Sequence, residues 1–275
     1  MALSVREAVI PAAGLGTRFF PATLTTPKEM LPLLHKPVIH RIMDELLRSG
    51  VEKAVLIISP QKEDLRKYLE LDAPLAGALE QAGREDLQQE IRRFSTEMHL
   101  EFVYQQEPLG LGHAVSLAGE QVRGAAFFVV LPDWLFLGER PAVEIMAGAF
   151  EQGRDMLIST MPVAEEETSS YGILHGPFIT DRIFEVHEIV EKPAPRTIAS
   201  NLAISGRYIL PREIFSVLKR QSPGSGGEIQ LTDAIATLKE QGRGIYGLNF
   251  PEHGFDLGTV KGWLAANSAL FKVEG

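Results

Sequence analysis

The first apolar run of the chain, Glu7–Pro11, passes through two alanines, Ala12 and Ala13, straight into Gly14-Leu15-Gly16-Thr17-Arg18-Phe19-Phe20. A buried strand that breaks at once into glycines commits the segment to a tight strand-to-loop turn. Glycine has no Cβ, so the backbone there can lie close to whatever it faces. The N–H groups of such a turn can line a concavity that holds phosphate. A Pro-rich turn leads on to Pro27-Lys28-Glu29-Met30-Leu31-Pro32. Arg18 and Lys28 therefore bring two fixed positive charges to one short segment, a combination that suits a nucleoside triphosphate. Two familiar phosphate patterns are excluded. Gly16 is followed by Thr17-Arg18 and not by Lys-Ser/Thr, and the third glycine of a dinucleotide fingerprint is Phe19.

Beyond this turn, short apolar strands alternate with helical patterns. The periodicity predicts a helix over 37–49 with Ile39, Ile42, Met43, Leu46 and Leu47 on one stripe and Gly50 closing it. Strands are expected at 53–59, 100–104 and 126–131, with helices around 62–69 and between 75 and 94. That alternation implies an α/β fold with a doubly wound, mostly parallel sheet. After about residue 140 the pattern changes: a helix over 141–152, then strands at 155–161, 171–175, 183–190 and 204–210. Helices are expected at 211–219, 231–241 and 259–271, with a strand at 244–250. No linker-like stretch occurs. The expectation is one domain, 1–275, in which residues 1–140 bind a nucleotide and residues 141–275 form a smaller, more antiparallel lobe.

Charge and composition narrow the chemistry. The net charge of −9 argues against nucleic acid as a partner, and means that a polyanion has to be held by local cations such as Arg18, Lys28 and Lys192. Cysteine is absent, which excludes disulfides, thiolate metal sites and cysteine nucleophiles and is compatible with a cytoplasmic location. No apolar run of about 18 residues exists, and the N-terminus leads directly into the first strand, so neither a membrane span nor a signal peptide is expected.

Four further segments carry chemistry. Gln105 opens Gln-Gln-Glu-Pro-Leu-Gly110-Leu-Gly112-His113-Ala. A glutamine amide presents donor and acceptor side by side, which suits the N3–H/O4 edge of uracil or thymine. The same segment also reads as a loop capping a helix, and His113 reads as structural more readily than as a general base. Asp133 ends the strand at 126–131, where a carboxylate can hold Mg²⁺ as a hard oxygen donor or serve only as a turn residue. Glu191-Lys192-Pro193 closes the strand at 183–190 and is equally readable as a solvated strand end. In Gly226-Gly227-Glu228-Ile229-Gln230-Leu231-Thr232-Asp233, Thr232 and Asp233 read as a helix start, and Glu228 is open.

Taken together, Gly14-x-Gly16-Thr17-Arg18, Pro27-Lys28-Glu29-Met30-Leu31-Pro32 and Gly110-Leu-Gly-His-Ala resemble the sugar-nucleotide pyrophosphorylases, above all their bacterial uridylyltransferase branch. The likeness runs from Ala8 to Trp263 with the motifs in order. It implies a Rossmann-like sheet with a smaller sugar-binding lobe, and transfer of a uridylyl group from UTP to glucose 1-phosphate with Mg²⁺ as cofactor. It assigns the nucleotide to Ala12, Ala13, Gly14, Gly16, Thr17, Arg18, Lys28, Glu29, Gln105 and Gly110. The sugar phosphate falls to Gly172, Glu191, Lys192 and Asn201, and the metal to Asp133 and Asp256. Arg18, Lys28, Asp133 and Lys192 would be catalytic. A thymidylyltransferase of the same fold and a non-catalytic regulatory homologue are the rival readings. The resemblance implies no nucleic-acid or membrane partner and a homo-oligomer, dimer or tetramer. Three departures stand out: Leu109 and Val260 where many relatives carry lysine, and Trp134 after the metal aspartate. The chain also ends soon after its last helix, where relatives extend for assembly.

Overall fold

The computed structural model describes residues 5–150, 154–194, 196–250 and 254–274. The first half runs β1 (Glu7–Pro11), β2 (Pro32–Leu33), β3 (Lys36–Pro37), α1 (Val38–Arg48), β4 (Lys53–Ile58), α2 (Glu63–Glu70), α3 (Ala73–Gln81), α4 (Glu85–Thr96), β5 (His99–Tyr104), α5 (Leu111–Ser116) and β6 (Ala126–Val130). It continues with β7 (Trp134–Phe136), α6 (Ala142–Phe150), β8 (Met156–Pro162), β9 (Gly172–His175), β10 (Ile183–Glu185), β11 (Glu188–Glu191) and β12 (Leu202–Pro211). The last elements are α7 (Ile214–Leu218), α8 (Leu231–Glu240), β13 (Ile245–Asn249), β14 (Gly254–Asp256) and α9 (Val260–Glu274).

Strand alternation builds two cores, one on each face of a single sheet. In β1, Ala8 and Ile10 face one cluster and Val9 the other; in β4, Ala54, Leu56 and Ile58 oppose Val55 and Ile57 in the same way. Both faces are apolar because helices cover both, as a doubly wound sheet requires. The stripe on α1 is buried as its spacing predicts, with Ile39, Ile42, Met43 and Leu46 all inaccessible.

The sheet order is β10-β13-β8-β12-β6-β1-β4-β5, with the β9–β11 pair branching from β12. β5, β4, β1 and β6 are mutually parallel, and β8 and β13 are parallel to each other. β12 is the reversed strand that joins the halves: it pairs antiparallel with β6 on one edge and β8 on the other. Its N-terminal residues Leu202 and Ala203 pair at once with β8 and with β9, so β9 occupies the same edge as β6. The β9–β11 ribbon therefore rises past the carboxyl end of β6.

The expected elements are present with three adjustments. The strand expected over 183–190 is two strands, because the chain leaves β13 for β9 at Val186-His187. The helix expected over 211–219 is only α7, since Pro211 still belongs to β12. The helix expected over 141–152 ends at Phe150, and residues 151–153 lie outside those described. The pairs β7–β14 and β2–β3 were not expected. No helix among the described residues is long and apolar enough to cross a membrane.

β12 bulges between Ile204 and Tyr208. At the bulge Gly206 has φ 78°, and a Cβ there would lie 2.6 Å from Trp134 Cδ1. Gly206→Ala should therefore cost stability on two counts, by about 1–3 kcal/mol for the backbone alone. Urea unfolding checks this; an unchanged midpoint would show that neither the left-handed backbone nor the Trp134 contact constrains position 206.

Candidate active site

In an open α/β sheet, a crevice forms outside the carboxyl ends of strands where the winding direction reverses. Here the chain leaves β1 towards β4 and later returns to β6 on the other side, so the reversal lies between β1 and β6. The glycine loop follows β1 and Asp133 follows β6. A cavity of about 390 Å³ opens there, lined by Ala13, Gly14, Gly16, Thr17, Lys28, Gln105, Gly110, Asp133 and Glu228 among others.

The loop is shaped by local packing. Gly16 has φ 68° and ψ 34°, a left-handed conformation suited to glycine. Its carbonyl accepts from the Thr23 hydroxyl at 2.7 Å, and a Cβ on it would stand 3.2 Å from Lys28 Cβ. The glycine thus lets the Lys28 segment lie against the loop. Gly14 has open space around it, as a ligand-facing position needs.

Four charged groups converge at the crevice. Lys28 Nζ donates to Asp133 Oδ2 at 2.8 Å. Burial works against the Lys28 ammonium, but Asp133, Glu29 and Asp256 outweigh it and raise its pKa. Burial likewise opposes the Asp133 carboxylate, and Lys28 and Arg18 prevail to hold its pKa low. A Cβ placed on Gly258 would lie 2.9 Å from Asp256 Oδ1, 3.5 Å from a guanidinium nitrogen of Arg18 and 3.7 Å from Asp133 Oδ2. Asp256 is pushed above the ordinary carboxylate range by burial and by the nearby Asp133 charge. It accepts from the Tyr171 hydroxyl at 2.8 Å and from the Gly258 N–H at 2.8 Å.

This donor set fits a hard cation that arrives on a nucleotide. Mg²⁺ commonly takes one or two carboxylates and completes its shell with phosphate and water. Asp133 and Asp256 are the two carboxylates placed to serve such an ion, and among the described residues no group of three or more His, Cys, Asp or Glu forms a metal cage.

Glu29, expected at the nucleotide, serves underneath the loop instead. Its carboxylate is 1% exposed and takes Lys62 Nζ at 2.9 and 2.7 Å. Lys62 also donates to the carbonyl of Ala12 at 2.6 Å, so this buried pair fixes the residue where β1 becomes the loop. Gln105 lines the cavity with its Nε2 on His113 Nδ1 at 2.9 Å, which gives His113 the structural role its position suggests. Gly110 and Gly112 are both required by protein packing, while Gly110 also lines the cavity. A Cβ on either would strike the backbone at Ile229, within 2.8 Å of its carbonyl oxygen, and Gly112 N–H donates to that same carbonyl. This contact also brings Glu228 into the cavity wall.

The sugar-phosphate candidates gather on the β9–β11 ribbon. Gly172 pairs with Glu191 across it, and a Cβ on Gly172 would meet Ile204 at 2.8 Å and Glu191 Oε2 at 3.1 Å. Glu191 Oε2 accepts from the Thr232 hydroxyl at 3.2 Å, so Thr232 is more than a helix start. Lys192 has φ 47° and its Nζ lies 3.5 Å from Glu191 Oε1; its N–H donates to the Tyr171 carbonyl. Tyr171 thus touches Asp256 with its hydroxyl and Lys192 with its backbone. Asn201 is turned away, its Nδ2 donating to the Val163 carbonyl at 2.8 Å. Trp134 does not face the cavity: it is buried against Gly206 and tilted on Tyr171 with ring centroids 6.0 Å apart.

The loop carrying Asp133 is held from behind by Arg207, which is fully buried on β12. Its Nε and one Nη meet the two Glu45 oxygens at 3.1 and 2.7 Å. Its remaining donors reach the carbonyls of Leu131 at 3.0 Å, Gly206 at 3.3 Å and Trp134 at 3.0 Å. Arg207, Glu45 and Lys62 were all missed in the sequence, since an arginine inside a β-branched strand or a glutamate on a helix carries no local sign of its partner.

Known proteins resemble this chain along nearly all its length. Residues 7–273 match the nucleotidyl transferase family. The chain is 38% identical over 260 residues to the UTP–glucose-1-phosphate uridylyltransferase of Bacillus subtilis, covering 94% of this chain and 89% of that protein. It is 39% identical over 261 residues to UTP–glucose-1-phosphate uridylyltransferase 2 of Staphylococcus saprophyticus, covering 94% and 90%. Among solved structures, a UDP-glucose pyrophosphorylase complexed with UDP-glucose superposes with a TM-score of 0.89 at 32% identity, covering 98% of this chain and 100% of that one.

Two outcomes test the geometry. Lys62→Met leaves the Glu29 charge buried and unpaired, which should cost about 3–5 kcal/mol in chemical denaturation; a loss below about 1 kcal/mol would mean that water reaches Glu29. Tyr171→Phe removes a donor that favours the charged Asp256, so its carboxyl pKa should rise further, as read by carbon NMR. The sign carries into stability. A carboxyl with a raised folded-state pKa favours folding below its unfolded pKa and loses that contribution as pH rises through the folded one. Wild type and variant should therefore diverge on going from acid to neutral pH.

Proposed function

The chain belongs to the nucleotidyl transferase family, and within it we propose that it transfers the uridylyl group of UTP to glucose 1-phosphate, giving UDP-glucose and pyrophosphate. The observation that carries this reading is the meeting of the glycine loop, Lys28, Arg18, Asp133 and Asp256 at one crevice. It is supported by the names of the relatives at 38–39% identity.

The nucleophile is a phosphate oxygen of the sugar phosphate. A phosphomonoester has a second pKa of about 6, so this oxygen is anionic near neutral pH and needs no general base. It attacks the α-phosphorus of UTP; the bond to the bridging oxygen breaks, and pyrophosphate leaves with the electron pair. Catalysis is then positioning and electrostatics. In this reading the N–H groups of the 13–17 loop cradle the triphosphate, with Ala12, whose N–H is tied to the Ile57 carbonyl at 2.7 Å, fixing the start of the loop. Arg18 and Lys28 neutralise it and the departing pyrophosphate. Gln105 meets the uracil edge. Glu191 accepts from sugar hydroxyls, Gly172 lets the ring lie close, and Lys192 holds the sugar phosphate. Asp133 and Asp256 would hold Mg²⁺, which supplies charge neutralisation at the α-phosphate when bound. Residues 1–140 thus serve mainly the nucleotide and 141–275 mainly the sugar phosphate, with Asp256 crossing between them. The absence of cysteine suits a cytoplasmic setting for these reactants.

The test is pyrophosphate release across a grid of nucleoside triphosphates and sugar 1-phosphates with Mg²⁺. UTP with glucose 1-phosphate should exceed every other pair, and a stronger signal with dTTP would transfer the chain to the thymidylyl reaction. Lys28→Ala should lower turnover by roughly 10²–10³, the usual loss for one preorganised donor. Near-normal turnover in that variant would remove Lys28 from the mechanism.

A further inference from the structure

We propose that Arg207 is a positioning residue for the Asp133 carboxylate and acts through the main chain of the loop that bears it. This rests on the reading of Asp133 as the group that meets the metal ion of the nucleotide.

The loop at 131–134 leaves the sheet between β6 and β7; within it Trp134 N–H reaches the Leu131 carbonyl at 3.4 Å, and Trp134 opens the β7–β14 pairing opposite Asp256. Leu131 N–H donates to the Gly206 carbonyl at 2.8 Å, and the Asp133 carbonyl accepts from Leu257 N–H at 2.7 Å. The carbonyls at the two ends of this loop, those of Leu131 and Trp134, both accept from Arg207. A guanidinium has five N–H donors in a fixed plane. Here all five are used: two on Glu45, one each on Leu131, Trp134 and Gly206. Glu45 is itself held, its Oε1 also accepting from Val143 N–H at 3.2 Å. α1, α6, β12 and the loop are thereby locked to one plane.

The chemistry of that arrangement favours a positioning role over a purely stabilising one. A buried ion pair is commonly no more stable than a well-packed apolar pair of the same volume. What an apolar pair lacks is donors for the loop carbonyls. Lysine, with three donors on one atom, cannot reach the two Glu45 oxygens and the flanking carbonyls together. The planar fork pins the Leu131–Pro132 and Trp134–Leu135 peptide units, the two ends of the short segment that carries Asp133, and so restricts where that segment can present its side chain towards Lys28 and Arg18.

The experiment uses Mn²⁺ with UTP, read by water proton relaxation, at a temperature where circular dichroism shows each protein fully folded. Wild type, Asp133→Asn and Arg207→Lys are compared. Arg207→Lys should weaken the Mn²⁺–UTP complex by roughly tenfold, the usual scale for a partner that orients a metal ligand. A role in stability alone lowers the unfolding midpoint and leaves this constant unmoved. If Asp133→Asn weakens binding and Arg207→Lys does not, the proposal is overturned and the reading of Asp133 stands. If Asp133→Asn binds as wild type does, the reading of Asp133 fails and the proposal with it. Should Arg207→Lys not fold, Glu45→Gln keeps the shape of the partner and removes the charge that aims the fork. A weakened complex in that variant supports the proposal, and an unchanged one overturns it.

Discussion

A buried guanidinium has to find five acceptors or the fold does not form around it, and that demand organises this molecule. Arg207 satisfies it with one carboxylate from α1 and three main-chain carbonyls from β12 and the loop after β6. Several of these acceptors take a second donor as well, Gly206 from Leu131 N–H and Glu45 from Val143 N–H, which ties the guanidinium into the surrounding main chain. The bulge at Gly206 exists in the same context. It turns the Gly206 carbonyl towards both Leu131 and Arg207 and opens the space into which Trp134 packs. The bulky residue after Asp133 is therefore part of the support of the site and not of its lining.

The same economy governs the charges that face the crevice. The chain carries nine more negative than positive groups, yet the glycine loop is flanked by Arg18 and Lys28. Lys28 and Asp133 stabilise each other's charged forms, one pKa moving up and the other down. Asp256 is driven the opposite way from Asp133 by burial and by that neighbouring charge, and is kept in place by Tyr171. Two carboxylates in one small space thus differ in proton affinity: Asp133 has an ammonium at contact distance, whereas the Tyr171 phenol only partly offsets burial and the Asp133 charge at Asp256.

Much of this was legible in the sequence, and the legible part is local. Gly14 and Gly16 after β1, Lys28 twelve residues past Gly16, and Asp133 after the most apolar strand could be read because each is explained by its immediate neighbours. Glu29 misled because a glutamate beside a site lysine looks like a ligand contact, whereas its partner Lys62 lies 33 positions on. Arg207 and Glu45 are 162 positions apart, a distance at which no periodic pattern connects two residues. The apolar run at 183–190 read as one strand because hydrophobicity continues through Val186 while the hydrogen-bond partner changes from β13 to β9. Pattern records burial; it does not record which edge a strand faces.

β12 offers one edge to two partners in succession, β6 opposite Arg207 to Pro211 and β9 opposite Leu202 and Ala203. The floor of the crevice and the ribbon above it hang from the same rail. The headroom between them is therefore set along one strand, across the bulge between Ile204 and Tyr208. It cannot be altered by a hinge, because a hinge there would have to break the sheet. Loops can close the opening but cannot change its height. Adaptation of this scaffold to a taller or shorter occupant would fall to insertions and deletions in β12, a strand whose own side chains lie mostly in the core.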